Sequence, residues 1–231
     1  MTVCMTVVTK DGIIAGCDTR VVLWMNKNYK VFKCRKFAIN RKRNVLFLIS
    51  GMWYGVKENP VEVIERRLKD LIEERDSILD VSKKAYDYLS PLYPKVSERG
   101  WQLQVCGFDS NQAKVYVVLS NQPPYRKNIK EVKNGAITGT EGVFEFTNQY
   151  GVPALGSMNL SEDEIIDAMK KYLQACVKFE NEWSIRRNKP PMTDNRINIL
   201  VVRASDIEWK EPRHYYPKDE KGLKKLQKRM L

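Results

Sequence analysis

Two runs rich in β-branched residues, 2–9 and 13–17, stand on either side of Lys10-Asp11-Gly12. Asp-Gly between such runs is the strongest short hairpin signal, because both residues tolerate the positive φ that a tight two-residue turn demands. The chain therefore starts as antiparallel sheet. A further strand pair is expected over residues 29–39 and 45–50, joined by the polar turn Asn40-Arg41-Lys42-Arg43-Asn44. Then the hydrophobic period changes. Asn59 is placed to cap a helix, Pro60 suits its first position, and Val61, Ile64, Leu68, Leu71 and Ile72 share one face. A second helix is expected over residues 78–92, with Pro91 and Pro94 marking its end. Strands return over 101–107 and 114–119, around the turn Asp109-Ser110-Asn111, and again near Ala136-Ile137-Thr138. Ser161 and Glu164 form a capping box that opens a third helix, with Ile165, Met169, Tyr172, Leu173 and Cys176 on its apolar side. Residues 198–202 read as a last core strand. No internal repeat or linker interrupts this order, so residues 1–231 are expected to form one α+β domain, with helices packed on antiparallel sheets and 205–231 as a charged C-terminal tail.

Composition narrows the chemistry. Among 231 residues there is one histidine, His214, which argues against Ser-His-Asp or Cys-His catalysis and against any His-clustered metal site. Five cysteines, odd in number and never spaced C-x-x-C, point to unpaired thiols in a reducing, cytoplasmic setting rather than to a disulfide scaffold or zinc ribbon. No apolar run approaches the ~20 residues of a membrane span, and Lys10-Asp11 interrupts the start before a signal-peptide core could develop. No metal, cofactor or membrane partner is expected. The net charge of +12 first suggests nucleic acid. However, residues 19–57 hold ten basic side chains and no acidic one, so one stretch supplies ten of the twelve excess charges. No recognition motif accompanies them, and a nucleic-acid partner is not expected.

One nucleophile needs no histidine. Removal of Met1 alone would expose Thr2 with a hydroxyl and an α-amine on the same residue. A terminal amine has an unperturbed pKa of about 7.7–8.0, so near neutral pH it can accept the hydroxyl proton directly or through water. Taken singly, a threonine at position two is more often a consequence of methionine processing than a catalyst.

Its context changes that weighting. The string T-V-C-M-T-V-V-T-K-D-G-I-I-A-G-C-D-T-R, from Thr2 to Arg20, resembles the N-terminus of proteasome β subunits and of their bacterial relatives HslV and Anbu. R-K-F-A-I-N, followed by V-L-F-L-I-S-G, resembles the family's lysine-bearing strand and the strand after it, which ends in Ser-Gly. V-C-G-F-D at 105–109 and A-I-T-G-T-E-G at 136–142 resemble later family strands and turns, in the family's order. The resemblance runs over about residues 2–202, and its first fifty residues are the specific part. It implies the N-terminal-nucleophile (Ntn) hydrolase fold, a four-layer α-β-β-α sandwich. It also implies a threonine peptidase acting on peptides or unfolded proteins inside a homo-oligomeric ring or barrel, which in relatives is often served by a ring ATPase.

Carried over residue by residue, the resemblance makes Thr2 the nucleophile, Lys36 the neighbouring cation that lowers its effective pKa, and Asp18 the partner that orients Lys36. Gly51 would present its backbone N–H to the oxyanion, and Thr140 would support the terminal amine. Val21 and Ile49 would line the substrate pocket beside the scissile bond. Lys33 rivals Lys36, and strand alternation would place the two on opposite faces so that one of them points at Thr2. The basic stretch around Lys36 would favour neutral amines there. The carboxylate-and-hydroxyl pair that the family carries after its third helix has two candidates here, Glu182 with Ser184 or Thr193 with Asp194. Met52-Trp53-Tyr54 is bulky where relatives carry small residues, and suits packing at least as well as substrate contact. The same fold and ester intermediate would also serve acyl transfer or peptide ligation, and a catalytically silent structural subunit is a further alternative.

Overall fold

A computed structural model describes residues 3–25, 28–51, 59–93, 100–120, 128–210 and 218–222. Strand β1 (Cys4–Val8) turns into β2 (Ile13–Asp18) at the predicted hairpin. A two-stranded ribbon follows, β3 (Arg20–Met25) with β4 (Asn28–Lys33). Next come β5 (Phe37–Asn40) and β6 (Val45–Gly51). Helix α1 (Pro60–Val63) runs through a π-helical turn (Ile64–Leu68) into α2 (Lys69–Leu71), and α3 spans Ile78–Leu92. Strands β7 (Trp101–Asp109), β8 (Gln112–Leu119), β9 (Ile129–Glu131) and β10 (Gly135–Thr138) precede helices α4 (Glu141–Tyr150) and α5 (Glu162–Arg186). β11 (Ile197–Val202) and β12 (Ile207–Trp209) complete the described sheets.

The strands assort into two five-stranded antiparallel sheets. One has the order β10-β1-β2-β11-β12 and the other β5-β6-β7-β8-β9. Side-chain alternation explains how each sheet serves two cores. In β6, Val45, Phe47 and Ile49 pack with α1, the π turn and α3, whereas Leu46 and Leu48 face the other sheet. In β11, Ile197, Ile199 and Val201 pack with α4 and α5, whereas Leu200 and Val202 face inward. Both sheets are thus buried on two sides. This is why their strands read as nearly continuous apolar runs, such as Val45–Ile49 and Ile197–Val202.

The helix ends obey the sequence signals. Asn59 Oδ1 accepts the Val61 N–H at 3.0 Å, and Ser77 Oγ accepts that of Asp80 at 3.1 Å. Both halves of the capping box form, Ser161 Oγ with the Glu164 N–H and Glu164 Oε2 with the Ser161 N–H. Two expectations need correction. The strand expected over 29–39 is broken at residues 34–36, which belong to neither β4 nor β5. Helix α4 was not anticipated, because E-G-V-F-E-F-T-N-Q-Y mixes glycine, β-branched and aromatic residues of modest helix propensity. Tertiary packing holds it instead. Phe146 lies with its ring centroid 5.4 Å from that of Tyr172 and 5.5 Å from that of Phe179, both on α5.

Helix α5 sits close on its sheet. A Cβ at Gly16 would come within 2.7 Å of Leu173 Cδ1 and 3.0 Å of Met169 Sδ, so a side chain there would push the helix away. Leu173 is fully buried in this contact. Leu173→Ala is expected to destabilise the fold by about 2–5 kcal/mol, through lost transfer energy and the cavity left behind. Urea denaturation of the variant checks this, and an unshifted midpoint would show that α5 does not carry the packing described.

Candidate active site

β2 ends on Asp18, which is fully buried. Its Oδ1 accepts the Val3 N–H at 2.9 Å and lies 3.4 Å from Lys36 Nζ. Its Oδ2 accepts the N–H groups of Arg20 at 3.0 Å and of Asp194 at 3.1 Å. A buried carboxylate is tolerable only when its charge and lone pairs are met, and here three backbone donors and one cation meet them. Lys36 is itself 4% exposed, so the pair is a buried one. The expected Asp18–Lys36 partnership is therefore present as geometry. The donors come from the start of β1, the start of β3, the 34–36 link and the loop before β11.

The break at 34–36 changes how the two lysines are placed. Strand alternation does not extend across a non-strand link, so Lys33 and Lys36 are not assigned to opposite faces of one strand. Lys36 reaches Asp18, and Lys33 Nζ lies 3.5 Å from Asp194 Oδ2, on the residue whose N–H also binds Asp18. Both lysines serve one neighbourhood. The link is pinned by its backbone: the Cys34 N–H donates to Thr19 O at 2.9 Å, and Lys36 O accepts the Ile49 N–H at 2.7 Å. Two acids of the tail join in, Asp219 accepting the Lys33 N–H at 2.9 Å and Glu220 the Arg35 N–H at 3.0 Å. Arg35 also pairs with Glu65 at 2.9 Å, and Arg43 with Asp109 at 2.9 Å. The basic stretch is thus answered by carboxylates from five other parts of the chain. It is not an unopposed positive surface.

Gly51 closes β6 at φ +82°, a conformation costly for any residue with a Cβ. Just before it, Ser50 Oγ lies 2.8 Å from Thr138 Oγ1, which accepts Gln104 Nε2 at 2.8 Å. Gln104 Nε2 also reaches Cys4 O at 3.2 Å, and Gln102 Oε1 accepts the Gly139 N–H at 3.0 Å. This buried polar seam ties β6 and β7 of one sheet to β1 and β10 of the other. Sequence reasoning missed it. Its signal is the alternation in Trp101-Gln102-Leu103-Gln104-Val105, where one face of a core strand is polar.

Thr140 precedes α4 as its N-cap residue but makes no side-chain cap bond. Its hydroxyl and Glu180 Oε2 are both buried without a hydrogen-bond partner in the structure. The Thr140 hydroxyl is near enough to favour the ionised Glu180 carboxylate. Glu180 Oε1 accepts from Ser184 Oγ at 3.2 Å, one helical turn along α5. Glu182, proposed from the sequence beside Ser184, is exposed, and the buried carboxylate is Glu180. Position 180 falls on the same helical face as Leu173, Cys176 and Val177, which is the signal that could have found it. The other candidate pair, Thr193–Asp194, is also buried and belongs to the Asp18 side.

Val21 is half-buried on β3, opposite Phe32 of β4. Ile49 packs its side chain into the core beneath α1 and α3, while its N–H holds Lys36 O. Thr2, Met52-Trp53-Tyr54 and His214 lie outside the described residues. All five cysteines are buried. Burial pushes the thiols of Cys34 and Cys176 up to about 12 and raises those of Cys4 and Cys106 as well, which disfavours the thiolate a cysteine nucleophile needs. Among the described residues no group of three His, Cys, Asp or Glu side chains is placed to hold a metal ion, and no helix is long and apolar enough to cross a membrane. No protein-family model matches this chain, and no curated protein matches its sequence.

Burial raises the Glu180 carboxyl above its ordinary value of 4.5, against the opposing effect of the Thr140 and Ser184 hydroxyls. A group raised on folding contributes stability that is whole below its unfolded pKa and lost as pH rises through its folded one. Glu180→Gln, which mimics the protonated form, is expected to remove this loss. The variant should match wild type in acid and gain on it as pH rises from 4.5 towards neutrality. Denaturation midpoints across that range check the prediction, and a pH-independent difference would contradict it.

Proposed function

We propose that this chain is an N-terminal threonine hydrolase with the four-layer α-β-β-α architecture of the Ntn family, cleaving peptide bonds after removal of Met1. One observation carries the reading. The amide nitrogen of Val3, to which Thr2 is covalently joined, donates to the same Asp18 oxygen that pairs with Lys36. The chain leaving position 2 and the only lysine on Asp18 among the described residues are therefore held by one atom. The ordered resemblance over residues 2–202 supports it, as does the burial of all five cysteines.

In this reading the Thr2 hydroxyl attacks the scissile carbonyl carbon and its proton passes to the Thr2 α-amine. The positive charge of Lys36, oriented by Asp18, stabilises the developing alkoxide. The Gly51 N–H meets the oxyanion, a contribution typically worth about 10²–10³ in rate. Collapse expels the leaving amine, which takes the proton back, and leaves a threonyl ester that water hydrolyses. Glu180 and Ser184, within α5, supply a carboxylate and a hydroxyl in place of the pair that the resemblance expects after the third helix, with Thr140 beside them. The substrate is a peptide or unfolded protein, and the assembly is a homo-oligomeric ring.

The test is intact mass after incubation with a peptide epoxyketone. Wild type is expected to lose Met1 and gain one inhibitor mass, Thr2→Ala to gain none, and Lys36→Ala to react at least about 10²-fold more slowly, as for loss of a group acting on proton transfer. A wild-type chain that lacks Met1 and stays unmodified would overturn the proposal. Light scattering addresses the ring separately: a multiple of the chain mass is expected, and a clean monomer would contradict it.

A further inference from the structure

Arg35 and Phe37, the neighbours of Lys36, open into a cavity of about 620 Å³ that contains no residue of the candidate active site. Its walls are β5 and the turn after it, the π turn with α2, and Trp209 of β12. A cavity this large lies within the range that suits a small organic ligand, and it is far larger than a bare inorganic ion needs.

Its charge is specific. Arg35, Arg41, Lys42 and Lys69 line it against Glu65 and Asp70. Arg35 is already engaged by Glu65 and Glu220, which leaves Arg41, Lys42 and Lys69, all exposed, against Asp70 alone. An apolar ligand would bury part of these cations without compensation. Asn40 closes the floor, 3% exposed, with its Oδ1 accepting the Arg43 N–H at 3.1 Å. The remaining wall is aromatic, with half-buried Trp209 held edge-to-face on Phe37 at a centroid distance of 4.8 Å. Finally, Glu65 lies within the π turn and Lys69 follows it directly. Widened turns of this kind recur at functional sites, because they shift side chains out of the ordinary helical register.

We propose that this cavity binds a mononucleotide. The phosphates lie against Arg41, Lys42 and Lys69, and the planar base lies on Trp209. The excess of cations matches a multiply charged phosphate chain, and the volume and aromatic wall match the base.

Calorimetric titration of the full chain with ADP, inorganic pyrophosphate and adenosine tests it. Saturable binding of ADP is expected, with pyrophosphate and adenosine each weaker by at least about tenfold, since each lacks half of the recognised chemistry. Lys42→Glu/Lys69→Glu alters two exposed side chains, so an unchanged thermal midpoint is the control for folding. In that variant ADP affinity should fall by about tenfold or more. Absence of saturable ADP binding to wild type would overturn the proposal, and so would ADP affinity that survives the charge reversal. Pyrophosphate binding as tightly as ADP would reduce the site to anion attraction and refute the nucleotide reading. Displacement of ADP by an acidic tryptophan-containing peptide at lower concentration than ADP itself would likewise refute it, in favour of a protein partner.

Discussion

The Asp18 carboxylate is the point on which this molecule converges. It is fully buried, and it accepts donors from four segments that lie 2 to 176 residues away in sequence. Removing a buried ion without its partner typically costs about 3–5 kcal/mol, so each segment is held in place by the penalty of leaving this charge unmet. The consequence is geometric. The first residues of β1, the link bearing Lys36, the entry to the β3–β4 ribbon and the loop before β11 cannot move independently. A site assembled from such distant pieces needs a common anchor of this kind, because precision in catalysis is set by the groups that hold the reacting ones.

The second constraint is the polar seam between the sheets. Most of the inter-sheet core is apolar, with Cys4, Ile13, Ala15, Leu46, Leu48 and Leu200 in mutual contact. At one end Ser50, Gln102, Gln104 and Thr138 replace it with hydrogen bonds. Apolar packing is non-directional and tolerates small slips of one sheet over the other, whereas a hydrogen-bonded seam fixes their relative position. That end is also where β6 reaches Gly51 and where β10 hands over to Thr140 and α4. The seam thus sets the spacing between the proposed oxyanion donor and the proposed amine support.

Charge has a different meaning in the folded molecule from the one it has in the sequence. Read linearly, ten basic residues without an acidic one suggest an electropositive surface. In three dimensions Lys33, Arg35, Lys36 and Arg43 each meet a carboxylate, supplied by Asp194, Glu65, Glu220, Asp18 and Asp109. Asp219 and Glu220 of the tail also accept backbone N–H groups of this stretch, so the charged tail is partly a structural element of the hairpin it neutralises. Among the described residues of the stretch, Lys30, Arg41 and Lys42 remain exposed, the last two on the rim of the cavity lined by Trp209.

Local signals in the sequence carried the opening hairpin, the α3 limits, the caps at Asn59 and Ser161, and the α+β class. Each rests on neighbours within a few residues, where hydrophobic period and turn chemistry act directly. The pairing of Asp18 with Lys36 was legible only through the resemblance of an ordered pattern, since nothing between positions 18 and 36 states it locally. Tertiary structure alone decided the rest. The strand breaks at 34–36 because acids from the far end of the chain and the backbone of Thr19 claim its N–H groups. Helix α4 exists because Phe146 finds aromatic partners on α5. Glu180, and not Glu182, is the buried carboxylate because the face of α5 is set by its packing on the sheet. Contacts between separate elements, from Phe146 with Phe179 to Lys33 with Asp219, leave no period or motif in the sequence, so only the folded chain could specify them.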